Sequence, residues 1–500
     1  MFHVPRTDLV PNTADYENEP LIKATGFREY DARWLMGPDL NLLGLQALGL
    51  GMATLFQEMG QTKVVTGHDF RSYSVSVKQA VMLGLISGGM EVHDIGLALS
   101  PIAYFAQFDL DIACVAMVTA SHNENGWTGV KMGAQRPLTF GPDEIGRLKE
   151  IVLGGKGVER DGGKLIRVDG VQDRYIADCA KRVTLTRKLK VIAACGNGTA
   201  GAFVPKALKA MGVDELIEMD TKLDYTFPKY NPNPEDSVML HAMSEAVKAQ
   251  GADIVLGFDG DGDRCGVVDD EGEEIFADKI GLMLARDLAP LHPGATFVVD
   301  VKSTGLFATD PILKQHGCKV VYWKTGHSYI KRKTAELGAL AGFEKSGHFF
   351  FNDPLGYGYD CALTAAAAIL AMLDRNPGKK LSDLKKALPL AFTSLTMSPH
   401  CDDEKKYGIV DQVVAEYVAL GKAGGSILGR KIVDVITVNG VRVALEDGSW
   451  VLVRASSNKP EMVVVVESMR SEDDMRALFR EEVKPRLAKY PEVGSYNQEI

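Results

Sequence analysis

The chain has 500 residues, of which 46% are hydrophobic and 24% are charged, and its formal net charge is −10. A chain of this length is too long for one ordinary hydrophobic core, so we expect three or four domains. The negative charge argues against a general nucleic-acid binder or a membrane-surface binder, because both need a broad basic face. We therefore expect neither nucleic acid nor a membrane as a partner.

The sequence predicts a cytoplasmic protein. Residues 1–8 lack the basic stretch and apolar core of a signal peptide. The longest apolar segment, residues 362–373, is too short to cross a bilayer and predicts a core helix. Seven cysteines are scattered without any Cys-x-x-Cys spacing, which favours reduced thiols.

Strand-like runs alternate with helical patterns along most of the chain, which predicts α/β domains with mixed, largely parallel sheets. Three strand-like runs each end in a polar, glycine-containing turn, at residues 63–69, 190–199 and 296–305. Each is followed by a second apolar strand that ends in a polar loop, at residues 119–123, 258–264 and 343–348. This recurrence predicts three α/β units of similar plan.

The pattern changes after about residue 387 and predicts a C-terminal α+β domain. Strand-like segments precede a helix from Ser471, at residues 432–438, 440–445, 449–453 and 462–467. Basic, glycine-rich stretches near residues 153–157 and 161–164 predict a surface hairpin. We divide the chain into domains at residues 1–168, 169–274, 275–387 and 388–500.

Residues 119–123, Thr-Ala-Ser-His-Asn, follow the apolar run 114–118, which predicts a short buried strand. In open α/β sheets, ligands bind at the carboxyl ends of the strands. A serine at that position can be a nucleophile or a phosphate carrier. Ser121 and His122 are sequence neighbours, so a proton relay between them requires a curved loop. The absence of a Gly-x-Ser-x-Gly sequence disfavours an ordinary serine hydrolase.

Residues 259–264, Asp-Gly-Asp-Gly-Asp-Arg, carry the clearest chemical signal. The alternating glycines allow the backbone to curl and to bring three carboxylates around one cation, for which Mg²⁺ and Ca²⁺ are the candidates. A helix–loop–helix calcium site would need a preceding helix and a glutamate where Asp270 stands. Mg²⁺ fits best because it takes few protein ligands and shares a phosphate. A solvated acidic turn is the alternative.

Two further loops are rich in hydrogen-bonding groups. In residues 454–460, Arg454 offers a fork of donors for phosphate, and Ser456, Ser457 and Asn458 add neutral donors. A polar β-turn is the alternative for this loop. In the second loop, Glu344 and Ser346 would point the same way in an extended chain and could bind adjacent sugar hydroxyls. Single histidines such as His348 and His327 are more often structural than catalytic.

Together, these loops resemble the α-D-phosphohexomutase superfamily, most closely the bacterial phosphomannomutase/phosphoglucomutase group. The resemblance covers nearly the whole chain, with four motifs in the order of the family. It implies three related α/β domains and a C-terminal α+β domain, arranged around a central cleft. It also implies the interconversion of hexose 1-phosphate and hexose 6-phosphate, with Mg²⁺ as the metal. A hexose 1,6-bisphosphate is then the activator and intermediate.

The resemblance also implies residue roles. Ser121 is the phosphoserine, and it binds the metal together with Asp259, Asp261 and Asp263. The other catalytic positions are His122, Lys131, Arg33, Arg264 and Lys302. The substrate-binding positions are Tyr30, His327, Glu344, Ser346, His348, Arg454, Ser456 and Asn458.

Two enzymatic alternatives and one non-enzymatic alternative stay open at the level of the sequence. A Mg²⁺-dependent sugar phosphatase would let water reach the phosphoserine, and a phosphoglucosamine mutase would act on an aminosugar. A sugar-phosphate sensor would bind hexose phosphates without turnover. Hexose phosphates are the expected small-molecule partners, and we expect a monomer or a dimer. The sequence leaves the choice between mannose and glucose open.

Overall fold

The computed structural model describes residues 3–456 and 460–500. The chain forms two compact units, each made of two sequence segments. The first contains Met1–Phe276 and Ser346–Ser382, and the second contains Ala277–Lys345 and Asp383–Ile500. No helix in the described ranges combines the length and the apolar composition that a membrane crossing requires.

The first unit begins with a mixed sheet covered by helices. Its strands are β1 (Ala32–Leu35), β2 (Lys63–His68), β3 (Glu91–Leu97), β4 (Cys114–Val118), β5 (Trp127–Gly133) and β6 (Lys164–Arg167). Its helices are α1 (Ala14–Asn18), α2 (Leu42–Glu58), α3 (Ser74–Ser87), α4 (Ser100–Asp109) and α5 (Pro142–Leu153). The strand order is β1-β5-β4-β2-β3-β6, and β2 pairs in parallel with β3 and β4. Every residue of β4 is buried, as expected for a central strand with both faces covered.

The second sheet of the first unit repeats this plan. Its strands are β7 (Lys190–Ala194), β8 (Glu215–Met219), β9 (Ile254–Phe258), β10 (Cys265–Asp269) and β11 (Glu274–Ile275). Its helices are α6 (Val171–Ala180), α7 (Val204–Ala210) and α8 (Ser237–Gln250). The order is β11-β10-β9-β7-β8, in which β7 is parallel to β8 and β9. Strand β10 folds back antiparallel on β9, so residues 259–264 form the turn between them.

The third α/β segment belongs mainly to the second unit. Its elements are α9 (Ala277–Leu288), β12 (Thr296–Asp300), α10 (Leu306–Thr309), α11 (Pro311–Gln315), β13 (Lys319–Trp323), α12 (His327–Glu336) and β14 (Ala341–Phe343). Strand β12 is parallel to β13 and β14. The chain then returns to the first unit with β15 (Phe349–Phe351) and α13 (Ala362–Arg375), and α14 (Leu381–Lys386) follows.

The C-terminal part of the second unit is an antiparallel sheet with helices. Its elements are β16 (Phe392–Thr393), α15 (Asp403–Lys422), β17 (Ser426–Ile427), β18 (Arg430–Ile436), β19 (Val441–Leu445), β20 (Trp450–Ala455), β21 (Met462–Ser468), α16 (Glu472–Ala477), a π-helical turn (Leu478–Val483) and α17 (Lys484–Leu487). The strand order is β16-β21-β20-β19-β18-β17. The alternating residues of β18 and β19 place an apolar face against α15.

The predicted fold class is confirmed. In each of the three α/β segments, the two strands singled out from the sequence are parallel neighbours: β2 with β4, β7 with β9, and β12 with β14. The core helix predicted over residues 362–373 is α13. The predicted hairpin near residue 160 is wrong, because β6 is a single strand that pairs in parallel with β3. A Cβ atom on Gly163 would lie 1.9 Å from the Ile86 carbonyl oxygen, so this glycine permits a close backbone approach.

Candidate active site

Ser121 lies on the loop that follows the buried strand β4, and its backbone is left-handed. Its φ angle is +52°, a conformation that residues other than glycine adopt rarely. Side chains of neighbouring residues in an extended chain point in opposite directions, whereas this curvature brings the Ser121 Oγ within 3.2 Å of the His122 Nδ1. The loop curvature required for a Ser–His contact is therefore present.

The acidic loop at the β9–β10 turn lies beside this serine. The side chains of Asp259, Asp261 and Asp263 are completely buried. The Asp259 Oδ1 accepts hydrogen bonds from the Asp263 and Arg264 N–H groups, both at 3.1 Å, which closes the turn. The Ser121 Oγ donates to the Asp259 Oδ2 at 3.1 Å. The burial contradicts a solvated acidic turn, and the preceding strand β9 contradicts a helix–loop–helix calcium site.

Glycine is needed where the serine loop and the acidic loop pack together. A Cβ atom on Gly260 would lie 2.4 Å from the Ser121 carbonyl oxygen, which no side chain could tolerate. Gly262 has a φ angle of +75°, and a Cβ atom there would lie 2.8 Å from Leu99. The two glycines therefore permit both the curl of the acidic loop and its contact with Ser121.

Lys131 on β5 contacts two of the buried carboxylates. Its Nζ donates to the Asp261 Oδ2 at 2.7 Å and also to the Asp263 Oδ2. The Ser100 Oγ donates to the same Asp261 oxygen at 2.6 Å. Burial disfavours the ammonium ion, but the attraction of Asp261 and Asp263 outweighs it and raises the pKa of Lys131 well above its ordinary value. Lys131 is therefore a permanent positive charge beside the carboxylates of Asp261 and Asp263.

The three aspartates fit a hard divalent cation. Each offers a carboxylate oxygen within 4.8 Å of those of the other two. The Oδ1 atoms of Asp261 and Asp263 are buried and accept no hydrogen bond from any residue in the described ranges. Buried carboxylate oxygens without donors are costly, and oxygen ligands are those that Mg²⁺ and Ca²⁺ prefer. The donor set of this cluster therefore matches such an ion.

The two ends of the acidic loop differ in proton affinity. Burial, together with the charges of Asp263 and Asp261, raises the pKa of Asp259 well above its ordinary value. Burial acts in the same direction on Asp263, but the attraction of Lys131 and His348 outweighs it and lowers the pKa of Asp263 well below its ordinary value. The proton affinity of the carboxyl group that Ser121 contacts is therefore raised, whereas that of Asp263 is lowered.

The first unit also contains Arg33, Arg264, Ser346, His348 and Tyr30, which the sequence named. The Arg33 Nη1 donates to the Asn123 Oδ1 at 3.0 Å, one residue from His122. The Arg264 Nε lies 3.4 Å from the His348 Nε2, which in turn lies 3.5 Å from the Asp263 Oδ1. The Ser346 Oγ lies 3.0 Å from the His348 Nδ1. Tyr30 is half-buried in the bend before β1.

His122 is a neutral ring at neutral pH. Burial, with the positive charges of Arg264 and Arg33, lowers the pKa of His122 well below its ordinary value. A neutral imidazole has one nitrogen that accepts and one that donates, so either polarity is available for its contact with the Ser121 hydroxyl.

The second unit contains the other residues named by the sequence. Glu344 is buried at the end of β14, and its Oε1 accepts a hydrogen bond from the Gly326 N–H at 2.9 Å. His327, the next residue along, is buried at the start of α12. Lys302 is half-buried after β12, two residues from the buried Asp300.

The expected extended arrangement of Glu344 and Ser346 is wrong. Strand β14 ends at Phe343, and Lys345 and Ser346 form a turn before Gly347, whose φ angle is +95°. Side chains two residues apart share one direction only in extended backbone, so the spacing carries no such meaning here.

The phosphate-binding loop predicted after β20 is described only in part. The Arg454 Nη1 donates to the Ala455 carbonyl oxygen at 2.9 Å, and Ser456 is buried. Asn458 lies outside the described residues.

Three polar residues near the cluster did not emerge from the sequence. Ser100 at the start of α4 contacts Asp261. Asp69 and Arg71, in the turn after β2, form hydrogen bonds with the loop that carries Ser121. The signal for the last two was available, because that turn and the Ser121 loop follow parallel neighbouring strands. Loops at the carboxyl ends of such strands meet at one edge of the sheet.

Comparison with known protein families matches three consecutive segments of the chain. The models are described as phosphoglucomutase/phosphomannomutase α/β/α domains I, II and III, and they match residues 24–157, 173–272 and 276–392. The chain belongs to the phosphoglucomutase/phosphomannomutase family. The Ser121 loop lies in the part matched by domain I of this family, and the acidic loop in the part matched by domain II.

Curated members of the phosphoglucomutase/phosphomannomutase family are similar to the chain over most of its length. A phosphomannomutase/phosphoglucomutase of Pseudomonas putida is 32% identical over 442 residues, which are 88% of this chain and 91% of that protein. A phosphoglucomutase of Neisseria meningitidis is 31% identical, over 88% of this chain and 92% of its own. The crystal structure of a family member from Burkholderia thailandensis matches with a TM-score of 0.84 and 29% identity, covering 95% of this chain and 99% of that one.

Proposed function

We propose that this phosphoglucomutase/phosphomannomutase family member interconverts hexose 1-phosphate and hexose 6-phosphate, with mannose, glucose or both as the sugar. The reaction passes through a phosphoserine at Ser121 and a bisphosphorylated sugar. The observation that carries this proposal is the hydrogen bond of Ser121 to a buried three-aspartate cluster beside Lys131. A hydroxyl in that setting is suited to carry phosphate next to a divalent cation, because the cation and lysine offset its charge.

We propose Mg²⁺ as the metal, held by Asp259, Asp261, Asp263 and an oxygen of the phosphorylated Ser121. The two buried Oδ1 atoms that lack donors support this choice, as does the small number of protein ligands. When bound, the ion supplies charge neutralisation and orientation for the phosphoryl group. Hexose 1,6-bisphosphate is the proposed activator, because it can phosphorylate Ser121 in a molecule that has lost its phosphate.

In the first half-reaction, a free hydroxyl of the hexose monophosphate attacks the phosphorus of phosphorylated Ser121. The bond between phosphorus and the Ser121 Oγ breaks, and a bond between phosphorus and the sugar oxygen forms. The attacking hydroxyl gives up its proton, for which Lys302 is the proposed handler, and the serine oxygen regains one. Lys131 would face the charge that develops during transfer. Around it, Arg33 contacts Asn123 of the serine loop, His122 contacts Ser121, and Arg264 contacts His348.

In the second half-reaction, the bisphosphorylated sugar returns its other phosphate to Ser121. The same residues act in reverse, and the product carries the phosphate at its other end. We propose that Arg454, Ser456 and Asn458 hold the phosphate that does not react. The sugar itself would contact Tyr30, His327, Glu344, Ser346 and His348.

The decisive experiment compares mannose, glucose and glucosamine 1-phosphates as substrates, with Mg²⁺ and a trace of the matching bisphosphate. Ser121→Ala should reduce turnover by at least about 10⁴-fold, because it removes the phosphate carrier. Intact-mass measurement should find one phosphate on the native protein and none on Ser121→Ala. Ser237→Ala, at an exposed serine of the same unit, is the control and should keep full activity and the phosphate.

Three outcomes would contradict parts of this proposal. Turnover of none of the three sugars would refute the mutase assignment. Release of inorganic phosphate faster than isomer would favour the phosphatase. A marked preference for glucosamine 1-phosphate would favour a phosphoglucosamine mutase; a probable phosphoglucosamine mutase of Methanothermobacter thermautotrophicus is 29% identical to this chain over 419 residues. The cytoplasmic location and the monomeric or dimeric state stay predictions.

A further inference from the structure

Arg71, in the turn after β2, binds three main-chain carbonyl groups of the Ser121 loop. The side chain is almost completely buried. Its Nη2 donates to the Ser121 carbonyl oxygen at 3.1 Å and to the Asn123 carbonyl oxygen at 2.5 Å. Its Nη1 donates to the Glu124 carbonyl oxygen at 2.9 Å. One planar guanidinium thus holds the chain on the C-terminal side of the serine.

Asp69, two residues earlier, binds the same loop on the other side of Ser121. Its Oδ2 accepts a hydrogen bond from the Ala120 N–H at 3.3 Å, and its own N–H donates to the Val118 carbonyl oxygen at 2.9 Å. The Oδ2 also lies 3.3 Å from the Arg71 Nε, so the two side chains form an ion pair. The turn after β2 therefore bonds the loop both before and after the serine.

The Ser121 loop needs such support because its backbone conformation is unfavourable on its own. A left-handed φ angle at a residue other than glycine persists only where surrounding contacts enforce it. The Ser121 carbonyl oxygen accepts from Arg71 and packs directly against the Cα of Gly260 in the acidic loop. Arg71 therefore holds the group whose position sets the separation between the serine and the aspartates.

The same turn is also bonded to the acidic loop through the second α/β segment. The Phe70 N–H donates to the Thr199 Oγ1 at 3.3 Å, and the Thr199 N–H donates to the Gly260 carbonyl oxygen at 3.0 Å. The Phe227 ring lies over the Arg71 guanidinium, with 5.3 Å between the Arg71 Cζ and the ring centroid. One turn thus contacts the serine loop directly and the acidic loop through a single residue.

We propose that Arg71 is a positioning residue for phosphoryl transfer. It holds the Ser121 Oγ at a set distance from the Asp259 cluster, and it acts through the loop backbone. The kinetic part of this inference rests on the proposed function. Because the same serine gives and receives the phosphate, a displaced loop slows both half-reactions.

The kinetic test uses Arg71→Ala and Arg71→Lys. Arg71→Ala should lower kcat by about 100-fold in both directions, because a displacement of about 1 Å at the reacting atom costs that much. The KM for hexose phosphate should change less than about threefold, since Arg71 contacts the Ser121 loop, Asp69 and Phe227, which are not among the residues proposed to bind the sugar. Lysine keeps the charge but lacks the planar fork, so Arg71→Lys should lose about tenfold. Added ethylguanidinium should restore activity to Arg71→Ala by about tenfold and leave Arg71→Lys unchanged.

Arg182→Ala is the matched control, because Arg182 makes the same kinds of contact away from the cluster. Its Nη2 lies 2.6 Å from the Asp178 Oδ2, its Nη1 donates to the Leu355 carbonyl oxygen at 3.0 Å, and its Cζ lies 4.8 Å from the Tyr357 ring centroid. Its loss should leave kcat within about threefold of the native value, even if it lowers the melting temperature.

Amide hydrogen exchange gives a readout that needs no activity. Residues 119–124 should exchange at least about tenfold faster in Arg71→Lys than in the native protein, and at the native rate in Arg182→Ala. If Arg71→Ala fails to fold, the kinetics and the hydrogen exchange of Arg71→Lys test the positioning role. Absence of mutase activity in the native protein would refute the proposed function. Faster exchange of residues 119–124 in Arg71→Lys would still support the positioning role.

Two results would overturn the inference. The first is a folded Arg71 variant whose kcat stays within about threefold of the native value or whose loop exchanges at the native rate. The second is a loss of kcat in Arg182→Ala as large as that in Arg71→Ala.

Discussion

Both units contain buried carboxylates, and those of Asp261 and Asp263 in the first unit use their oxygens differently from that of Asp300 in the second unit. In the first unit, the Oδ1 atoms of Asp261 and Asp263 accept no hydrogen bond from any residue in the described ranges. In the second unit, the Asp300 Oδ1 accepts from the Ser303 Oγ at 2.5 Å, and the Oδ2 accepts from the Thr325 Oγ1 at 3.2 Å.

This difference separates carboxylates that bind a ligand from carboxylates that order loops. A buried carboxylate whose oxygens are satisfied by protein donors gains little from a cation and serves to hold the chain. A buried cluster that keeps oxygens without donors is costly until an ion completes it. We therefore expect Mg²⁺ binding to depend on the cluster of the first unit and to be independent of Asp300.

The largest expected effect tests directly whether Asp263 binds the cation and Asp300 does not. Asp263→Asn should weaken Mg²⁺ binding by about 100-fold, because it removes a charged ligand, and should lower kcat by about 10³-fold. Asp300→Asn should leave Mg²⁺ affinity within about twofold of the native value. Titration calorimetry with Mg²⁺ measures both affinities. Equal losses in the two variants would show that the carboxylates of the two units do not differ in the way proposed.

Lys131 provides the next test, because it competes with a cation for the same carboxylates. Lys131→Met should lower kcat by about 100-fold, since a positive charge near the transferred group is lost. The same change should strengthen Mg²⁺ binding severalfold, because Asp261 and Asp263 then keep their full charge for the ion.

Lys78→Met is the control for Lys131→Met. Lys78 is also buried in the first unit, and its Nζ lies 2.5 Å from the Asp94 Oδ1, away from the aspartate cluster. Its loss should reduce stability and leave Mg²⁺ affinity unchanged. Weaker Mg²⁺ binding in Lys131→Met would mean that the lysine supports the cation site instead of competing with it.

The sequence predicts most of the fold, because the strand and turn patterns are local. The parallel neighbours β2 and β4 follow from two apolar runs that end in polar turns, and the same pattern recurs twice. The hairpin near residue 160 was predicted wrongly from its glycines. Glycine is found both in turns and where two backbone segments approach closely, so the sequence does not distinguish the two. The four domain boundaries stay a prediction.

The sequence predicts the residues of the candidate site whose side chains carry the chemistry. It misses residues that contact the backbone or that only the fold brings close. The alternation of aspartate and glycine from residue 259 predicts a cation site. Arg71 carries no such signal, because it binds main-chain carbonyl groups that every residue has. Ser100 is distant from Asp261 in sequence, and only the fold brings the two together.

The smallest expected effect concerns the pH dependence of the free energy of unfolding that Asp300 causes. Burial raises the pKa of Asp300 against the opposing charge of Lys302, and the charge of Glu344 adds to the rise. The native state then binds the proton more tightly than the unfolded state, so stability is lost as the pH rises through the raised pKa. Asp300→Asn removes this slope, so its free energy of unfolding should increase relative to that of the native protein as the pH rises from 4.5 to 7.5.

Asp270→Asn is the matched variant for this measurement, because burial is outweighed there by hydrogen bonds from Ser382, which lower the pKa of Asp270 below its ordinary value. A lowered pKa gives stability that is complete above the unfolded value of about 3.9 and is lost only as the pH falls through the native one. The difference between Asp270→Asn and the native protein should therefore stay constant from pH 4.5 to 7.5. Urea unfolding without Mg²⁺ measures both variants. A flat difference for Asp300→Asn would show that its hydrogen bonds offset its burial and would contradict the raised pKa of Asp300.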